Sequence, residues 1–108
     1  TPNVLLVLGR YTASQESNPK DLQPLLDKLP GNLNWWLCAF GKSENACMET
    51  AMNKGGHCRV GFENNLLDKH GQTAASNASQ VEAIARQAQS RARGLATVEQ
   101  AKRLMNIR

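Results

Sequence analysis

A chain of 108 residues with 41% apolar content can build at most one domain's core, and that content excludes wholesale disorder. Its apolar runs stop far short of the roughly 20 residues that cross a bilayer, so no helical membrane span and no membrane partner are expected. The net charge of +4 sits largely in Arg86, Arg91, Arg93, Lys102, Arg103 and Arg108. No aromatic platform interleaves these charges, so a solvated helix face is expected rather than a nucleic-acid contact, with a stand-alone basic binding module as the alternative.

The first predicted element is a strand, Val4 to Leu8, a continuous aliphatic run that stops at Gly9. A helix follows, with Pro19 at a first helical position and Leu22, Leu25, Leu26 and Leu29 at helical spacing. Pro30-Gly31 ends it, and Pro24 marks a kink or a late start. The second strand runs from Leu33 to Phe40, apolar or aromatic at all but Asn34, and ends at Gly41. A second helix starts near Ser43 as N-cap, with Glu44 in its first turn, and stops at Lys54-Gly55-Gly56. The third strand is Cys58 to Phe62.

Asn77 with Gln80 three residues on then reads as a capping box. The helix it opens carries an apolar stripe of Val81, Ile84, Ala85 and Ala88 and ends at Gly94. Thr97 and Gln100 repeat the cap for a short final helix, with Ala101, Leu104 and Met105 facing inward.

Strands alternating with helices predict an α/β fold with a parallel sheet, because continuous apolar strands need covering on both faces. The strands start about 30 and then about 25 residues apart, the size of one βα unit. Three such units are three of the eight in a (β/α)8 TIM barrel, which runs to about 250 residues. The chain opens Thr1-Pro2-Asn3 without an initiator Met. Residues 1–108 are therefore expected to be the C-terminal part of a single TIM-barrel domain whose upstream strands lie outside the chain. Exposed strand edges predict a homo-oligomer.

Cys38, Cys47 and Cys58 are odd in number and irregularly spaced, which suits reduced thiols and a cytoplasmic location better than disulfides or a structural zinc site. Gly41-Lys42-Ser43 resembles the end of a phosphate-binding loop, but Trp36 stands where that loop needs its first glycine. No nucleotide cofactor is expected.

The chemistry is concentrated in Gly55-Gly56-His57-Cys58-Arg59-Val60-Gly61-Phe62-Glu63-Asn64-Asn65. Alternation on a strand sends Arg59, Gly61 and Glu63 to one face and Cys58, Val60 and Phe62 to the other. Two charges on an interior face are costly unless paired or bound. Two readings follow: an Arg59–Glu63 ion pair that fills the interior, or Glu63 holding a metal or substrate while Arg59 meets an anion. His57 is expected to pack or hydrogen-bond, His70 to be solvated, and Trp35 and Trp36 to pack.

This stretch resembles the last-strand signature of the β-keto acid cleavage enzymes. Leu6-Val7-Leu8-Gly9, Trp35-Trp36-Leu37-Cys38-Ala39-Phe40-Gly41-Lys42, Ala75-Ser76-Asn77-Ala78 and Leu95-Ala96-Thr97-Val98-Glu99-Gln100-Ala101 fit in the same order. The resemblance implies a zinc-dependent TIM barrel that converts a β-keto acid and acetyl-CoA into acetoacetate and a new CoA thioester. It implies that Glu63 ligates zinc and that Arg59 belongs to a charge-paired dyad. The dyad's second position is Asn64, where the family's named enzyme has an aspartate. Asn64 can orient a neighbour but cannot take a proton as a carboxylate does. The family's His-x-His zinc ligands have no counterpart in this chain, which by itself is expected to bind zinc weakly and to be inactive.

Overall fold

The computed structural model describes residues 3–9, 16–31, 33–61, 65–66, 72–90 and 94–105. Three parallel strands form one sheet in the order β1 (Asn3–Leu8), β2 (Asn34–Ala39), β3 (His57–Arg59). Helices α1 (Leu22–Asp27) and α2 (Glu44–Asn53) connect them, and α3 (Asn77–Ser90) and α4 (Val98–Met105) follow. The fold is α/β, as the alternation of elements predicts.

Register decides which side chains share a face. Leu6 lies beside Leu37 and Leu37 beside Cys58, while Leu8 lies beside Ala39. Leu6, Leu8, Leu37 and Ala39 are all buried, and the core they form is closed by Leu22 of α1 and by Cys47, Met48 and Ala51 of α2. Each large apolar side chain removed from water in this way contributes about 1.5–3 kcal/mol. Leu5, Trp36 and His57 line up in register on the opposite face, as do Val7, Cys38 and Arg59.

The helix ends follow local chemistry. A 3₁₀ turn at Pro19–Asp21, where Asn18 Oδ1 accepts from the Lys20 N–H at 3.0 Å, leads into α1. The helix therefore starts later than Pro19. Pro24 falls in its first turn, where its missing N–H costs no intrahelical bond. Ser43 is the N-cap residue of α2 as expected, yet its side chain makes no capping bond.

At its far end α2 closes in a Schellman motif: Gly56 N donates to Ala51 O at 2.8 Å and Gly55 N to Met52 O at 3.3 Å. Gly55 takes φ 87°, the left-handed conformation this motif needs. Gly56 is required for another reason, since a Cβ there would overlap the ring of Trp35. Both glycines that open the signature stretch thus have structural causes.

Two expectations are corrected. The third strand ends at Arg59 rather than Phe62, because Gly61 O is drawn into a turn and accepts from Asn65 N at 3.2 Å. Phe62 itself lies outside the described residues. The capping box of α3 is Ser76–Ser79, not Asn77–Gln80. Ser79 N donates to Ser76 Oγ at 3.0 Å and Ser76 N to Ser79 Oγ at 3.1 Å. The Thr97–Gln100 box of α4 forms as expected, with reciprocal bonds of 2.9 and 3.1 Å.

Ile84 of α3 packs against the core, and the Gln87 side-chain amide donates to Asn45 on α2. Helix α4 is tied to the sheet where Asn34 Nδ2 donates to Leu104 O at 3.0 Å. Ala101 and Leu104 are half-buried, but Met105 is exposed instead of facing inward. No described helix is long and apolar enough to cross a membrane.

Candidate active site

A groove of about 840 Å³ runs around the open side of β3. It wraps that edge: Leu5, Trp36, His57 and Arg59 line it from one sheet face, Cys58 and Val60 from the other, with Ala85 of α3 and Met105 of α4. Leu5 and Val81, also on its lining, are 42% and 55% exposed, so the apolar stripe of α3 is only partly packed. Among the described residues its lining is mostly apolar and includes the Arg59 guanidinium. Such a surface suits the carbon skeleton of a small acid together with its carboxylate.

Arg59 is the last residue of β3 and is exposed, and it faces away from the helix-covered core as alternation predicts. Cys58 and Val60 pack on the other side, and the Cys58 thiol points to Met48 O at 3.8 Å. His57 shares the Arg59 face and lies against Trp36, ring centroids 4.7 Å apart and planes tilted by 34°. That contact gives His57 the packing role expected of it. Trp35, by contrast, packs against the core.

Glu63 and Asn64 lie outside the described residues, as do His70 and the basic residues Arg91, Arg93 and Arg108. Their flanks are described. Gly61 and Asn65 are both buried and joined by the hydrogen bond that ends the strand. Among the described residues no three His, Cys, Asp or Glu side chains come together as a metal site. Lys42, from the phosphate-loop-like segment, instead lies 3.9 Å from the Glu16 carboxylate.

A group that sequence reasoning did not assemble sits between the starts of α2 and α3. Glu44, Asn65 and Gln80 are polar, and all three are buried. Asn65 Nδ2 lies 3.5 Å from Glu44 Oε1, the long end of a hydrogen bond, and Gln80 Nε2 donates to Asn65 O at 2.8 Å. The sequence signals for these residues were local: Glu44 as a first-turn acid and Gln80 as a capping partner. Nearby, the Cys47 thiol donates to Ser17 Oγ at 3.4 Å, and burial pushes its pKa up, so it stays an un-ionised packing group.

A parallel sheet whose strands are joined through helices, with a groove at the edge of β3, defines the described residues as an α/β protein. Residues 1–107 match the sequence profile of the beta-keto acid cleavage enzymes, and the chain belongs to that family. It is 33% identical over 91 residues to the 3-keto-5-aminohexanoate cleavage enzyme of Acetoanaerobium sticklandii, covering 84% of this chain and 33% of that protein. The enzyme of the same name from Fusobacterium nucleatum is 29% identical over 102 residues, covering 94% of this chain and 36% of the relative. The 3-oxoadipate:acetyl-CoA acetyltransferase of Cupriavidus necator is 34% identical over 83 residues, 76% of this chain and 29% of that protein. The chain thus spans about a third of the length of these curated relatives.

Proposed function

We propose that the chain is the C-terminal part of a (β/α)8-barrel enzyme. That enzyme exchanges acyl groups between a β-keto acid and acetyl-CoA, giving acetoacetate and a new CoA thioester. The observation that carries this reading is Arg59, placed at the end of β3 on the face opposite the α1–α2 core and on the lining of the groove. In a barrel that face is the interior, and the strand ends are where reacting groups collect. The names of the relatives, which specify a keto acid and in one case acetyl-CoA, support the substrate class.

In this reading the Arg59 guanidinium holds the substrate carboxylate or a developing oxyanion. Asn64 orients its neighbours through hydrogen bonds and leaves proton abstraction to another group. Glu63 contributes one carboxylate to zinc. Zinc in a catalytic site takes three protein ligands, and the described residues do not supply such a set. The described donors do not make the site by themselves. A reducing cytoplasmic location suits Cys38, Cys47 and Cys58, none of which is disulfide-bonded.

The test is acetyl-CoA-dependent acetoacetate formation by the complete enzyme and its Glu63→Gln variant. Loss of turnover by at least about 100-fold with unchanged circular dichroism is expected. Wild-type turnover in Glu63→Gln would remove that residue from the site.

A second reading concerns the 108-residue chain alone. Leu5, Leu66, Val81, Leu95 and Val98 are exposed apolar residues, and among the described residues β1 and β3 each have one edge without a partner strand. By itself the chain self-associates and is inactive. Sedimentation should give a dimer or larger, and a monomer that forms acetoacetate would contradict this.

A further inference from the structure

We propose that Trp36, braced by His57, is a specificity-determining residue: it forms a floor beneath Arg59 and limits the length of the acyl tail a β-keto acid can carry. The proposal rests on the reading of Arg59 as the anchor of the substrate carboxylate given above.

Strand register sets the arrangement. Leu5, Trp36 and His57 form one cross-strand row on the face opposite the α1–α2 core. Val7, Cys38 and Arg59 form the next row, toward the C-terminal ends of the strands. Side chains inside a parallel barrel stack in such layers, so the first row lies as a floor under the second. Two positions along a strand are about 7 Å apart. An acid held by its carboxylate at Arg59 therefore meets the floor after a few carbon atoms. In a closed barrel the part of the groove along the β3 edge is taken by the neighbouring strand, whereas the part over Leu5, Trp36, His57 and Arg59 belongs to the interior.

Trp36 is the side chain of that floor built to act as a wall. It is half-buried, and its ring meets the His57 ring at 4.7 Å with the planes tilted by 34°. On the other face its neighbour Trp35 packs against the core and over Gly56, which holds this part of β2 in place. A large ring braced by a second ring has little room to yield. Against such a wall one methylene too many costs about 10–200-fold in kcat/KM. Leu5 and the indole are apolar, so the tail that fits is a short hydrocarbon one.

The test is a series of unbranched 3-oxo acids with tails of about two to six carbon atoms beyond the keto group, assayed with acetyl-CoA. The complete enzyme is compared with its Trp36→Ala and Trp36→Phe variants. Wild-type kcat/KM should fall at least about tenfold at the first methylene past the limit. Trp36→Ala should move that limit outward by about two carbon atoms, with kcat/KM for the shortest acid kept within about fivefold. Trp36→Phe should move it less. The readout is a ratio between acids on one folded variant, which a merely structural role does not shift. An unmoved limit in Trp36→Ala, with the shortest acid still turned over, overturns the proposal and leaves the reading of Arg59 standing. Wild-type enzyme that turns over none of these acids also overturns it. Undiminished turnover in Arg59→Met overturns the reading beneath it and the proposal together. If Trp36→Ala does not fold, Trp36→Phe decides; if neither folds, Trp36 is structural and the proposal is overturned.

Discussion

The two faces of the sheet are made by the same three strands and differ in what covers their ends. On one, Leu6, Leu8, Leu37 and Ala39 disappear beneath α1 and α2. On the other, Cys38 is buried as well, but Leu5 is 42% exposed and Arg59 is exposed on the lining of a groove. Alternation along a strand is enough to separate them. The covered face holds the fold together, and the open face carries the candidate chemistry. A side chain one position along the strand changes job completely.

The sharpest way to break that division is to delete buried volume. Leu37→Ala should cost about 2–5 kcal/mol in urea unfolding, because the site is fully enclosed. Gly56→Ala comes next, at about 1–3 kcal/mol, since its methyl must displace Trp35. Ser76→Ala should cost about 1 kcal/mol by opening one half of a reciprocal cap. Leu5→Ala on the open face should cost less than about 1 kcal/mol. A Leu5→Ala variant as damaged as Leu37→Ala would erase the distinction between the faces.

Cys47 sharpens the comparison through pH. Its folded-state pKa is raised, so the folded form keeps a proton that the unfolded thiol loses above about pH 8.5. Its contribution to stability is therefore full below that pH and falls as pH rises toward the folded pKa. Cys47→Ala should flatten part of the alkaline decline in the urea midpoint. An unchanged decline would locate the titration elsewhere.

Much of the covered face was legible in the sequence. Continuous aliphatic runs placed β1 and β2 within a residue at each end, and Gly55-Gly56 announced the end of α2. The third strand was overextended because its apolar pattern continues past the point where Gly61 O turns back to Asn65. The α3 cap was misplaced by one residue because Gln80, the expected capping partner, is taken by a carbonyl 15 positions away. Contacts of that range leave no periodicity to read. Arg59 was placed on its face by alternation alone, whereas the grip of Glu44 and Gln80 on Asn65 needed three distant segments brought together.

The proposed role of the open face is tested most directly by Arg59→Met in the complete enzyme, assayed for acetyl-CoA-dependent acetoacetate formation. Because Arg59 is exposed and outside the core, the unfolding midpoint should stay put while kcat/KM falls by at least about 100-fold, the loss of a charge-assisted contact to substrate. Undiminished kcat/KM at an unchanged midpoint would contradict the assignment.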